Sequence, residues 1–332
     1  MILGLFKKSY YIQISWVIIF AIILAIPGFL QSNSTYLPQT TLFLKLSCIF
    51  PWLKINWVYQ SISNILLLAL AFYLKGVFAK HELVHRQNFL PSLLILALFN
   101  ILHPFQFQLI AVINVFLLAF AFNFLLNSFE DERPDNSIFS ASILIGMASL
   151  ISYSNIIFLP FIWLSFFVFQ NYSFRYFSIT IVGLISPYLF LFTWLFWNDK
   201  MNLISTEWIL IGQNNYYPKE INGLFNIIMI SILSFFTLVS LGKIIPETPS
   251  KIIAIRRKTT LSLWFLLFST IPFILFPDKI SSNLFIIALS GLLGYYLRVI
   301  KTKRLWVDFL FSAFIVLIIL NKYFYATKIF LN

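Results

Sequence analysis

The residues whose types and spacing could do chemistry lie in the stretch HELVHR, residues 81–86. Its H-E-x-x-H spacing is that of zinc proteases, in which two histidines on one face of a helix bind the metal. His81 and His85 would be those ligands, and Glu82 would be the general base.

A catalytic zinc needs three protein ligands, and no third ligand is in reach of this stretch. The only other histidine, His103, is separated from His85 by a predicted apolar helix of about 20 Å. The nearest acids lie in FEDERPDN, residues 129–136, where a central proline is typical of a loop. Residues 80–88 join two apolar runs, so we expect a charged turn and no metal site.

The composition predicts an all-α, polytopic membrane protein. The chain has 332 residues, of which 60% are hydrophobic and 10% charged, and its mean hydropathy is +0.90. Soluble proteins carry about a quarter charged residues, so a single water-soluble core could not hide this much apolar surface. The abundance of Phe, Ile, Leu, Asn and Lys indicates an AT-rich bacterial genome. One cysteine, Cys48, excludes an intrachain disulfide, and nothing in the sequence calls for a cofactor.

Eleven apolar runs, separated by polar or charged residues, predict eleven transmembrane helices. The first follows Lys7 and Lys8 without a cleavage site, so we interpret it as a retained helix. Residues 138–170 hold either two spans in a tight hairpin or two broken half-helices. The runs are 14–30, 62–79, 89–102, 107–127, 138–153, 156–170, 176–197, 224–242, 261–276, 283–297 and 305–325.

The basic residues predict the orientation of these spans. With the N-terminus in the cytoplasm, 16 of the 23 Lys and Arg fall on the cytoplasmic side and 7 on the outer side. The outer count includes Lys322, assigned to the segment after the last span. Cytoplasmic loops are enriched in Lys and Arg, so the net charge of +12 follows from topology and lipid headgroups rather than from nucleic-acid binding.

Two outer segments are long, and the other connections are short. Residues 31–61 contain Trp52 and Trp57 among apolar residues, which predicts short helices lying in the membrane interface. Residues 198–223 form the second long segment. Because no linker or repeat interrupts the chain, we predict one transmembrane domain over 1–332.

This order of one helix, a long outer loop, further helices and another long outer loop resembles the GT-C superfamily of membrane glycosyltransferases. Residues 97–126, with Pro104 at the outer bend, are similar to that family's third and fourth helices. Residues 142–169, with Gly146 and Pro160, are similar to its fifth and sixth. The resemblance covers about residues 10–225 and leaves 224–325 as additional C-terminal helices.

The resemblance implies a polyprenyl-phosphate donor at the outer face and a carboxylate base in the first outer loop. A nucleophile needs a proton acceptor within hydrogen-bond reach, yet residues 31–61 and 103–106 contain no Asp or Glu. The remaining candidates for catalysis are Asp199, Glu207 and His103, and those for binding a lipid phosphate are Lys200, Lys45 and Lys54.

We therefore expect a bacterial inner-membrane protein with GT-C-like architecture and no catalytic acid, which binds a polyprenyl-phosphate lipid or scaffolds a membrane complex. The main alternative is an active glycosyltransferase whose base lies in residues 198–223. A transporter or a membrane zinc protease are further alternatives. Asp308 is the only acid within the predicted spans, whereas transporters keep ionisable groups near midplane.

Overall fold

A computed structural model describes most of the chain and contains helices and turns only. The described residues are 10–30, 56–102, 108–131, 133–170, 173–199, 224–275, 284–299 and 305–331. Helix accounts for 90% of the structure, and no strand occurs in these residues. The predicted all-α class is therefore confirmed.

The described part contains eleven α-helices, each overlapping one predicted apolar run. They are α1 (Tyr10–Leu30), α2 (Asn56–Lys80), α3 (Leu90–Leu102), α4 (Gln108–Asn127), α5 (Asp135–Ile151), α6 (Phe158–Phe169), α7 (Phe174–Trp197), α8 (Leu224–Glu247), α9 (Ile253–Leu275), α10 (Ile286–Val299) and α11 (Leu305–Leu331). Two 3₁₀ turns, Tyr153–Ile157 and Thr248–Ser250, precede α6 and follow α8.

Four helices of the described part are long and apolar enough to cross a membrane. The apolar segments are Tyr10–Phe29, Trp57–Lys80, Leu109–Asn127 and Phe174–Trp197. An apolar helix of about 20 residues spans a bilayer, so these helices support a membrane protein. The count of eleven spans and the cytoplasmic N-terminus stay predictions.

Several helices extend beyond the predicted runs. Helix α2 begins at Asn56, so Trp57 lies on its first turn, not in the first outer segment as predicted. Residues 31–55, including the predicted interfacial helices, lie outside the described residues. Helix α9 begins at Ile253, which places the predicted loop residues 256–258 on its first turns. Long basic side chains can continue a helix into the headgroup layer because their heads stay in polar surroundings.

The chain divides into two compact units. Unit 1 comprises Met1–Val112, Lys219–Ser262 and Ile286–Asn332, and unit 2 comprises Ile113–Pro218 and Leu263–Phe285. Each unit is described by its own helices below.

In unit 1, α3 is the central helix and packs on α1, α2, α10 and α11. Residues 93–99 of α3 are each at most 3% exposed. The Asn88 side chain donates to the carbonyl of Gly294 at 2.9 Å, before the first turn of α3. A Cβ on Gly294 would lie 2.6 Å from Pro91, so α10 approaches α3 at a distance that only glycine permits.

In unit 2, α5 and α7 run parallel, and α6 runs antiparallel to α7. Arg175 pairs with Asp135 at 2.7 Å near the start of both helices, and Tyr188 meets Ser149 at 2.7 Å further along both. On α6, Trp163 donates to Thr180 of α7 at 2.9 Å. The chain must therefore reverse direction between α5 and α6. Of the two alternatives for residues 138–170, this geometry favours the hairpin.

Small residues set the spacing between α5 and α7. A Cβ added to Gly146 would lie 2.7 Å from the carbonyl oxygen of Leu184, and one on Gly183 would lie 2.6 Å from the Cβ of Ser142. Helices in membranes associate through such small-residue contacts because lipid provides little hydrophobic drive.

We predict opposite effects for two glycine-to-alanine substitutions. Gly146→Ala forces the backbones of α5 and α7 apart and should destabilise the protein by about 1–3 kcal/mol. Gly242→Ala should be neutral or stabilise by up to about 1 kcal/mol, since no atom of another described helix lies within 4 Å of that Cβ and alanine favours helix. Thermal unfolding of both variants in the same detergent measures this. Equal effects would contradict the packing described.

Candidate functional site

Unit 1 buries a lysine among apolar helices. Lys322 of α11 is 2% exposed, and its Nζ donates a hydrogen bond to Oδ1 of Asn100 on α3. Asn100 is also 2% exposed, and its Nδ2 donates to the carbonyl of Leu96 at 2.7 Å. Because that bond fixes the amide, its oxygen is the atom left to face the amine. In this pair a buried amine donates to the uncharged side-chain oxygen of Asn100.

Lys322 lies toward the end of unit 1 that the distribution of Lys and Arg predicts to be on the outer side of the membrane. The adjacent Tyr323 donates to the carbonyl of Ile23 at 3.3 Å, and Ile23 lies about 10 Å before the end of α1 at 1.5 Å per residue. Asn100 is two residues from the last residue of α3. The pair therefore lies within about two or three helical turns of this end of unit 1.

Other polar side chains are buried on the first turns of α2, at the same end of unit 1. The hydroxyl of Tyr59 accepts from the backbone N–H of Leu109 at 3.3 Å. Gln60 is 3% exposed, and its Oε1 would lie 3.0 Å from a Cβ on Gly28 of α1. The Ser63 hydroxyl is fully buried and has no hydrogen-bond partner within the described residues. This end of unit 1 therefore buries several polar side chains between its helices.

Among the described helices of unit 1, three near Lys322 carry no acid. Helices α1, α2 and α3 contain no Asp or Glu. The only acid on α11 is Asp308, 14 residues away, which is about 21 Å along the helix. A charged side chain in a membrane interior costs about 2.5–3.5 kcal/mol on insertion scales and usually marks a functional site. The described helices α1, α2 and α3 therefore offer this amine no acidic partner.

A second polar cluster closes the hairpin of unit 2. Asn155 and Asn114 are both 0% exposed, and Nδ2 of Asn155 donates to Asn114 at 2.8 Å and to the carbonyl of Ala148 at 2.7 Å. The hydroxyls of Ser152 and Ser154 are 2.7 Å apart. These bonds give the carbonyl of Ala148, near the end of α5, a hydrogen-bond donor and connect this helix end to α4. The cluster is uncharged, and its hydrogen bonds give it a capping role.

A third cluster lies where α8 ends and α9 begins, at the opposite end of unit 1. The Tyr295 hydroxyl donates to Glu247 at 3.1 Å, and Lys243 approaches the same carboxylate at 3.8 Å. The Nζ of Lys251 lies 4.1 Å from the centre of the Tyr295 ring. Burial lowers the pKa of Lys251, and the charge of Glu247 partly opposes that shift.

The H-E-x-x-H residues do not share a helix face. Helix α2 ends at Lys80, and His81 begins a turn in which it is 1% exposed. Glu82 is exposed with a φ of 57°, and His85 is exposed as well. Zinc proteases need these residues on one continuous helix, and this backbone does not supply it. Across the described part of the chain, no three metal-ligating side chains cluster.

Most other predicted site residues lie outside the described residues. Asp199 is exposed just beyond the end of α7, with a φ of 52°. Two acids of FEDERPDN have structural partners, since Ser137 donates to Asp131 and Arg175 pairs with Asp135. The predicted residues outside the described part are His103, Lys200, Glu207, Lys45 and Lys54.

Sequence reasoning missed Lys322, because the charge tally assigned it to an outer segment. The signal was present: Lys322 falls within the last apolar run, 305–325. An ionisable residue inside such a run is a functional-site candidate in its own right. Its partner on α3, 222 residues away in sequence, could not be read from the sequence.

No family model, curated protein or solved structure matches this chain. The resemblance to the GT-C superfamily therefore rests on the sequence patterns alone.

A double-mutant cycle tests the pairing of Lys322 with Asn100. Asn100→Leu should destabilise the protein by about 1–3 kcal/mol, because it removes the acceptor from a buried amine. In a Lys322→Met background the same change should cost at least about 1 kcal/mol less. Unfolding in mixed micelles measures all four proteins. An equal cost in both backgrounds would mean that the two side chains are not coupled.

Proposed function

We propose that this chain is a bacterial inner-membrane protein of GT-C-like architecture that binds the phosphate of a polyprenyl-phosphate-type lipid and does not transfer a sugar. The observation that carries the proposal is the buried amine of Lys322, which donates to Asn100 and whose own helix packs on α1 and α3, two helices without Asp or Glu. A phosphate offers several acceptor oxygens to an ammonium, and charge-assisted hydrogen bonds are about twice as strong as neutral ones.

The apolar surface of α1 supports a lipid as the ligand. Helix α1 packs on α11, which carries the lysine. Its side chains Ile19, Ile22 and Ile26 are 45%, 56% and 41% exposed. In a bilayer this face meets acyl chains. A long isoprenoid chain can lie along it while its phosphate reaches the polar end of the unit.

The absence of a base supports binding without transfer. Residues 31–61 and 103–107 contain no Asp or Glu, and Asp199 is exposed at the end of α7. General-base catalysis requires a proton acceptor near the nucleophile. A protein that keeps the phosphate site but lacks the base would hold or present the lipid, alone or to a partner in a membrane complex.

Binding of a radiolabelled polyprenyl phosphate to the purified protein in detergent tests this proposal, with the phosphate-free polyprenol as the second ligand. The wild type should prefer the phosphate form. Lys322→Gln should weaken its binding about 10- to 100-fold, as expected for loss of a charge-assisted hydrogen bond worth about 1.5–3 kcal/mol. Arg86→Gln, in the exposed turn between α2 and α3, is the matched control and should bind normally.

Two results would contradict the proposal. One is equal binding of polyprenol and polyprenyl phosphate by the wild type. The other is normal phosphate binding by Lys322→Gln with an unchanged melting temperature. Transfer of sugar from a lipid-linked donor, abolished by Asp199→Asn or Glu207→Gln, would instead favour the glycosyltransferase alternative.

A further inference from the structure

A cleft in unit 1 opens beside the junction of α8 and α9. It is lined by side chains of α2, α8, α9 and α10, among them Phe78, Ile244, Lys251 and Tyr295. The cleft has a volume of about 20 Å³, which is room for one water-sized group. A larger ligand must therefore lie at the mouth, where Lys251 covers the ring of Tyr295.

The segment that contributes Lys251 to this cleft is strongly basic. Residues 243–258 contain five basic side chains and one acid. That acid, Glu247, already accepts from Tyr295 and is approached by Lys243. Lys251 and the exposed Arg256 face no further acid within residues 243–258. The helix dipole of α9, whose N-terminus is at Ile253, adds positive potential at the same place.

Exposed apolar side chains lie between those basic residues. Ile252 and Ile253 are 73% and 58% exposed, directly after Lys251 and before Arg256. Exposed isoleucines flanked by basic heads are typical of a segment at the membrane surface, where apolar groups enter the acyl layer and cations meet headgroups. A free anion would use the charges but gain nothing from the isoleucines.

We propose that this cleft is a binding site for an anionic phospholipid. Its phosphate would lie at the mouth between Lys251, Arg256 and the N-terminus of α9, and its acyl chains would lie against Ile252 and Ile253. Basic pockets between membrane helices bind the headgroups of anionic lipids in this way. The site is separate from Lys322, so the two proposals stand or fall independently.

Native mass spectrometry of the full chain, with phosphatidylglycerol and phosphatidylcholine as competing probes, tests the site. The wild type should retain phosphatidylglycerol at least tenfold more than phosphatidylcholine. Lys251→Gln with Arg256→Gln should reduce that preference at least fivefold, while Arg133→Gln with Arg175→Gln, an equal loss of charge in unit 2, should not. Lys251→Arg with Arg256→Lys should keep the preference, which separates binding from folding.

Further measurements test whether the ligand is a lipid or free phosphate, and whether binding at this cleft is independent of Lys322. Ile252→Ser with Ile253→Ser should weaken retention of phosphatidylglycerol, and millimolar inorganic phosphate should not compete. Lys322→Gln should leave the preference unchanged. The proposal is overturned if the wild type shows no preference, if both double-Gln variants lose it equally, or if inorganic phosphate displaces the lipid.

Discussion

Burying a charged amine among apolar helices costs free energy that hydrogen bonds and counter-charges must offset, and unit 1 encloses such an amine at Lys322. Asn100 supplies an oriented acceptor because its own amide is held by Leu96. Replacing buried charges by apolar residues is often neutral or stabilising. A lysine kept here is therefore better explained by a ligand than by stability.

The helices position this amine through close packing at small residues. Gly294 lets α10 approach α3, and Gly28 on α1 faces Gln60 on α2. In unit 2 the same principle brings α5 against α7 at Gly146, while paired amides close the hairpin at Asn155. Buried polar groups thus fall into two kinds. Neutral ones mainly satisfy the backbone, and Lys322 and Lys251 lie toward opposite ends of unit 1, where we propose that anionic groups bind.

Hydropathy alone located every described helix, because each apolar run must satisfy its backbone hydrogen bonds internally. It failed at helix ends, since α2 already includes Trp57 and α9 already includes the basic residues 256–258. The H-E-x-x-H stretch illustrates the limit of a motif, since its backbone leaves the helix at Lys80. Lys322 was missed because a charge tally cannot distinguish a lysine outside the bundle from one inside. Only contacts between helices distant in sequence reveal that difference.

The central claim is that the amine of Lys322 meets a phosphate, and a distance measurement between those two groups tests it most directly. Protein labelled with ¹⁵N at lysine side chains and bound to polyprenyl phosphate allows ¹⁵N–³¹P dipolar couplings to be recorded by solid-state magnetic resonance. The account predicts a coupling for wild type that corresponds to a direct hydrogen bond and disappears in Lys322→Gln. A bound lipid whose phosphorus shows no coupling to Lys322 would contradict it.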